Sequence, residues 1–176
     1  MKKINPLVLV TARYGSLAGL LGGILMIVLY YIGRHPFLFP VYYDFRVILF
    51  SVFIFFALKE YRDYYREGIL YLWEGFIGSF IVISAFTAVA VTVILIFGAA
   101  NDAFLSTYIS LSIDQLKSIP PDIIKQIGKD VYERNLAMLP GTTLGNMASL
   151  YALQSFIIGL FISIILSVIL RRQPKN

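Results

Sequence analysis

The feature that most limits what this chain can become is a set of long apolar runs almost free of charge. Tyr14 to Ile32 contains no ionisable lysine, arginine, aspartate or glutamate, Met147 to Leu170 contains none, and Leu70 to Ala99 contains one, Glu74. Runs of about 20 such residues are what an α-helix needs to cross roughly 30 Å of hydrocarbon. A bilayer also admits only helices or closed barrels, because every backbone N–H and C=O must be satisfied internally. The unbroken runs lack the alternating pattern of barrel strands, so the fold expected is an all-α membrane protein.

A further span is less obvious. The uncharged stretch Val47 to Leu58 is too short to cross alone, but Tyr42 and Tyr43 on one side and Tyr61, Tyr64 and Tyr65 on the other are spaced as two interfacial aromatic belts. The sequence therefore predicts a four-helix transmembrane bundle in a single domain, 1–176, with spans at about 14–32, 42–64, 70–99 and 147–170. Arg46, at the edge of the second span, is expected to snorkel outward.

Composition agrees: 59% of the 176 residues are hydrophobic and 14% charged, about half the charge of an ordinary soluble domain. The formal charge of +5 sits beside the apolar blocks and reads as a topology signal. No basic patch with interleaved aromatics favours nucleic acid. Without cysteine, disulfides and thiolate metal sites are excluded. Lys2 and Lys3 precede an apolar run too long for a signal peptide and lacking a small-x-small cleavage site.

Four spans put both termini on one side, which collects Lys2, Lys3, Arg13, Lys59, Arg62, Arg66, Arg171, Arg172 and Lys175. The other side holds Arg34, Arg46, Lys117, Lys125, Lys129 and Arg134, mostly diluted in a long loop. The positive-inside rule then places both termini in the cytoplasm of a bacterial inner membrane.

That loop, 101–146, is expected to be helical and external. Ser112 and Gln115 fit a capping box, and Pro120-Pro121 ends one helix and opens another. In the second, Ile123, Ile124, Ile127 and Val131 share a face opposite Asp122, Lys125, Gln126, Lys129 and Glu133, an amphipathic helix. It either caps the outer mouth of the bundle or docks a partner.

Small residues mark packing faces, since close backbone approach drives association where lipid is the solvent. The first span carries Gly15, Gly19 and Gly23 with Ala18 and Gly22 beside them, and the fourth carries Ser155, Gly159, Ser163 and Ser167. These two faces are expected to pack on each other, or alternatively on a second copy or a partner subunit. Gln154 is expected to hydrogen-bond a neighbouring helix.

Intramembrane ionisable groups are the default functional candidates. Glu74 and Arg13 lie at matching depths and are expected to form a bracing ion pair; the alternative is that Glu74 carries a proton or cation. Asp44 and Arg46 with Arg34 and His35 form an outer polar cluster, read as loop anchoring ahead of a ligand site. No nucleophile with its base, carboxylate pair, metal constellation or phosphate loop is present, so neither an enzyme nor a cofactor is expected.

Lys59-Glu60-Tyr61-Arg62-Asp63, followed by Gly68-Ile69-Leu70 and an apolar run with Gly75 and Gly78, resembles the bacterial DUF4199 family over nearly the whole chain. Where members often carry Gly-Gly before the third span, this chain has Arg66-Glu67-Gly68. The resemblance implies four spans, a cytoplasmic turn, a helical outer loop and a basic tail, and no assigned activity. Within the turn, Lys59, Arg62 and Arg66 alternate with Glu60, Asp63 and Glu67 at spacings that allow i to i+3 and i+4 pairs. The function expected is that of an accessory or structural subunit acting by contact with the bilayer, with itself as a homo-oligomer, or with other membrane-protein subunits. The alternative is a small oligomeric transporter or channel.

Overall fold

The computed structural model describes residues 5–40 and 43–174; Lys2, Lys3, Lys175 and Tyr42 fall outside them. Among the described residues the chain is helical without strands: α1 Pro6–Tyr31, α2 Phe45–Tyr65, α3 Leu72–Ala100, α4 Asp102–Lys117, α5 Pro121–Ile127, α6 Lys129–Met138 and α7 Leu144–Leu170. Three of them, α1, α3 and α7, are long and apolar enough to cross a membrane, where the sequence predicts four spans. α2 differs because its last two turns carry Lys59, Glu60, Arg62 and Asp63 and its first turn carries Arg46.

Several boundaries shift for local reasons. α1 starts at Pro6, a residue suited to a first helical position, with the Asn5 side chain accepting the Leu7 N–H at 2.9 Å. Arg13 is therefore two turns inside a helix whose edge it was expected to mark. α7 starts at Leu144, three residues ahead of the expected span, because Thr143 caps it by accepting the Asn146 N–H at 3.2 Å. Ser112 lies within α4 and caps nothing.

α1 and α3 run parallel, and their contact is set by glycine. A Cβ at Gly15 would strike the Val82 carbonyl oxygen, and one at Gly19 would lie 2.7 Å from the Phe86 carbonyl oxygen. α7 runs antiparallel to α3, with Gly159 against Ile83 and Gly75 against Ser167. The small-residue faces of α1 and α7 therefore both pack on α3, not on each other as expected. Two faces without bulk need a partner with bulk, and α3 supplies Val82, Ile83, Phe86, Val89 and Val93. α2 packs against α1, α3 and α7 through fully buried Phe50, Ile54, Ala57 and Leu58.

The outside of this body is as oily as its inside. Leu17, Leu21, Ile24 and Val28 on α1 and Leu153, Ile157, Phe161, Ile165 and Val168 on α7 are exposed. An apolar surface of this extent belongs in lipid, so the chain has the character of a membrane-embedded protein.

At one end, α4 docks through Phe104, buried beside Tyr30 and His35. The amphipathic helix predicted beyond it is two helices. Gly128 has φ +97°, a conformation open to glycine, and breaks the run so that Val131 falls on α6. Ile123 and Ile127 on α5 are 44% and 47% exposed, Ile124 is half-buried, and the apolar stripe is not laid across the mouth of the body.

Candidate functional site

Two buried charged clusters and one histidine latch hold the ends of the helices. At the α4 end, Asp44 caps α2 by accepting the Arg46 N–H at 2.9 Å and also accepts the Arg46 Nε at 2.9 Å. The guanidinium turns inward. Its terminal nitrogens donate to the Gln154 Oε1 at 2.8 Å and to the Tyr151 carbonyl and Ser155 Oγ at 3.1 Å each, and it lies 4.3 Å from the Tyr151 ring centre. Arg46 is thus 5% exposed and does not snorkel. A planar, multiply donating cation with a carboxylate, three oxygens and a ring around it is well compensated inside the protein. Gln154 bonds across to α2 as expected. The cluster clamps α2 to α7.

Tyr151, Gln154 and Ser155 recur at i, i+3 and i+4 on α7, a polar face legible in the sequence once Arg46 is allowed to point inward. Ser155 therefore serves the charge cluster as well as the packing face. A small cavity, about 50 Å³, adjoins Arg46, Tyr151 and Gln154.

At the other end, Glu74 is 2% exposed. The Tyr61 hydroxyl donates to its Oε1 at 3.1 Å, the Tyr71 N–H donates to its Oε2 at 3.0 Å, and Arg66 Nε forms an ion pair with Oε1 at 3.0 Å. As the third residue of α3 it also meets the positive end of that helix. The expected Arg13–Glu74 pair is not formed. Arg13 instead bonds Glu60 of α2 at 2.7 and 2.8 Å, joined by the Tyr14 hydroxyl at 2.8 Å. The reason lies in the neighbours: α1 lies against α2 at this level, and the turn at Glu67 and Gly68, φ +50° and +84°, brings Arg66 over Glu74. The i to i+3 and i+4 pairs predicted along the turn give way to these longer-range ones and to Arg62–Asp63.

Two backbone hydrogen bonds of 3.0 Å between Leu70 and Arg172 tie the end of α7 to the start of α3. The first turns of α1 and the last of α7 therefore share one end of the body.

His35, outside the apolar helices, is 5% exposed. Its Nε2 contacts the Phe104 carbonyl at 3.1 Å, and its Nδ1 faces the Phe37 N–H at 3.4 Å. A carbonyl accepts only, so the ring is the neutral Nε2–H tautomer. Burial pushes its pKa down from 6.5, partly offset by the Phe104 carbonyl. The single cluster expected of Arg34, His35, Asp44 and Arg46 divides: Asp44 and Arg46 join α2 to α7, His35 joins its loop to α4, and Arg34 is exposed.

Among the described residues no group of three or more histidines, aspartates or glutamates is placed to hold a metal. A family model described as "Protein of unknown function (DUF4199)" matches residues 13–172. No curated protein and no solved structure matches the chain.

Proposed function

We propose that this chain, which belongs to the DUF4199 family, is a non-enzymatic accessory or structural subunit that works by contact within a bacterial inner-membrane assembly. The observation that carries the reading is the uncharged layer between its two charged ends. Fifteen residues of α2 separate Arg46 from Tyr61, about 22 Å at 1.5 Å per residue. Fully buried Phe50, Ile54, Leu58, Val82 and Phe86 make up most of that interval, and its buried polar groups, Ser79, Thr87 and Ser163, carry no charge. A transported ion would have to cross this layer with only the neutral hydroxyls of Ser79, Thr87 and Ser163 and no carboxylate to receive it, and a buried charge there costs several kcal/mol. Glu74 and Arg46 are each compensated locally, which fits braces better than carriers.

In this reading all four long helices cross the membrane as a four-helix transmembrane bundle. The 21 residues of α2 reach about 31 Å, with Arg46 enclosed by protein in its first turn and Lys59, Glu60, Arg62 and Asp63 of its last turns in the headgroup region. Both termini then lie with the nine cations of the predicted cytoplasmic side, and α4 to α6 lie outside. The exposed Ile123 and Ile127 and the helix faces left in lipid are the surfaces for a partner subunit or a second copy.

The test is purification in mild detergent together with flux through reconstituted vesicles. A defined stoichiometric assembly and ion permeability no greater than empty vesicles are expected. A monomer that conducts protons or cations, with conduction lost in Glu74→Gln, would overturn the proposal.

A further inference from the structure

Between α3 and α7 runs a groove of about 420 Å³, lined by Phe76, Phe80 and Ile83 on one side and Phe156, Leu160 and Ser163 on the other. It opens where Phe80 and Leu160 are 60% and 56% exposed. The serine hydroxyl is the polar group among these side chains, so a polar occupant is not accommodated. A hydrocarbon chain is.

The ends of the groove differ. Trp73 lies one turn before Phe76 and Ile77 on the same helical face and is 58% exposed, the position of an interfacial anchor. The Leu70–Arg172 bridge sets the end of α7 level with the start of α3, so Arg171 and Arg172 follow the groove-lining helix α7 at the depth of Trp73, both exposed. The other arginines there are engaged: Arg13 with Glu60, Arg62 with Asp63 and Arg66 with Glu74. Among the described residues Arg171 and Arg172 have no ion-pair partner within 4 Å, although Arg172 is within electrostatic reach of Asp63.

We propose that this groove holds one acyl chain of an anionic phospholipid, with its phosphate at Arg171 and Arg172. Arginine pairs with phosphate in a bidentate geometry, and interfacial cations attract anionic lipid. A second copy related by a twofold axis along the membrane normal is less suited, because it would bring the same two arginines toward themselves at the same depth. The inference depends on membrane embedding and is independent of whether the protein is an accessory subunit.

Trp73 is the single tryptophan of the chain, which makes it a native reporter. The full chain is reconstituted in phosphatidylcholine vesicles doped with lipid brominated on its acyl chains, either phosphatidylglycerol or phosphatidylcholine, at equal low mole fraction. Brominated phosphatidylglycerol is expected to quench Trp73 at the lower concentration, with a preference on the order of fivefold for each arginine. Arg171→Gln with Arg172→Gln should abolish that preference, while Lys59→Gln on α2, which does not line the groove, should leave it. Equal quenching by both lipids in the unsubstituted chain overturns the proposal, as does a preference that survives the arginine substitutions. Quenching by neither lipid, together with Leu160→Cys disulfide dimers, overturns it in favour of a second copy.

Discussion

Arg46 is the residue whose surroundings do most to fix the α4 end of the molecule. Arg46→Gln leaves Asp44 beside Gln154 and Tyr151 without its cation, and breaking a buried pair from one side costs about 3–5 kcal/mol. The expected result is a clear fall in the thermal unfolding midpoint in detergent, and the double variant Asp44→Asn/Arg46→Gln should fall less. Equal losses would show that the pair is not coupled. His35 gives a pH signature of its own. Its folded pKa lies below 6.5, so the unfolded chain binds the proton first as pH falls. The stabilising contribution is full above about pH 6.5 and is lost as pH drops from there through the folded pKa. His35→Gln, which keeps a donor and an acceptor, should flatten that segment of a stability-against-pH curve; an unchanged slope would assign it to another group. At this scale the sequence revealed which ionisable groups lie toward the ends of the long helices, but not their partners. Arg13 and Glu74 read as sharing a depth, but the seating of Gly15 on Val82 and Gly19 on Phe86 sets Arg13 level with Phe80, roughly 9 Å beyond Glu74 at 1.5 Å per residue. Glu60 therefore meets one and Arg66 the other, and the register between helices leaves no mark in one-dimensional spacing.

Among the elements, α3 carries the fold. α1 and α7 both present small residues to it, and the close approach at Gly19 leaves no room for a methyl group against a backbone oxygen at 2.7 Å. Gly19→Ala therefore forces α1 away from α3. Overpacking of this kind costs about 1–3 kcal/mol, whereas Gly141→Ala, with nothing within 4 Å of its Cβ, should stay within about 0.5 kcal/mol of the parent. Detergent unfolding curves of the two variants side by side measure the difference, and equal stability would mean that the α1–α3 face is not tightly closed. The small-residue ridges were legible because four-residue spacing is a direct property of the helix. Their common partner was not, since Val82, Ile83 and Phe86 look like any apolar stretch. The break at Gly128 was missed for a related reason: the isoleucine stripe continues across it in period, and only the backbone angle shows that the helix does not.

For the molecule as a whole, the decisive question is whether α2 crosses. Its middle is apolar but its ends are charged, which is why composition alone counts three crossing helices while aromatic spacing and family resemblance count four. Two observations favour the proposed crossing: buried Phe50, Ile54 and Leu58 of α2 lie at the depth of Val82 and Phe86 while its other face exposes Ile48, Val52 and Phe56, and α1 and α3 run parallel, so the chain must return between them. The chain has no cysteine, so single cysteines can be introduced without background at Asn5, Tyr64, Ser118 and Gln173 and challenged with a membrane-impermeant thiol reagent in oriented vesicles or cells. The proposed arrangement requires Asn5, Tyr64 and Gln173 to label from one face and Ser118 from the other. If α2 stays on one side, Asn5 and Tyr64 must label from opposite faces, because α1 crosses once between them; α3 would then enter from the face where α1 leaves, and the parallel packing of α1 on α3 fails together with the four-helix transmembrane reading.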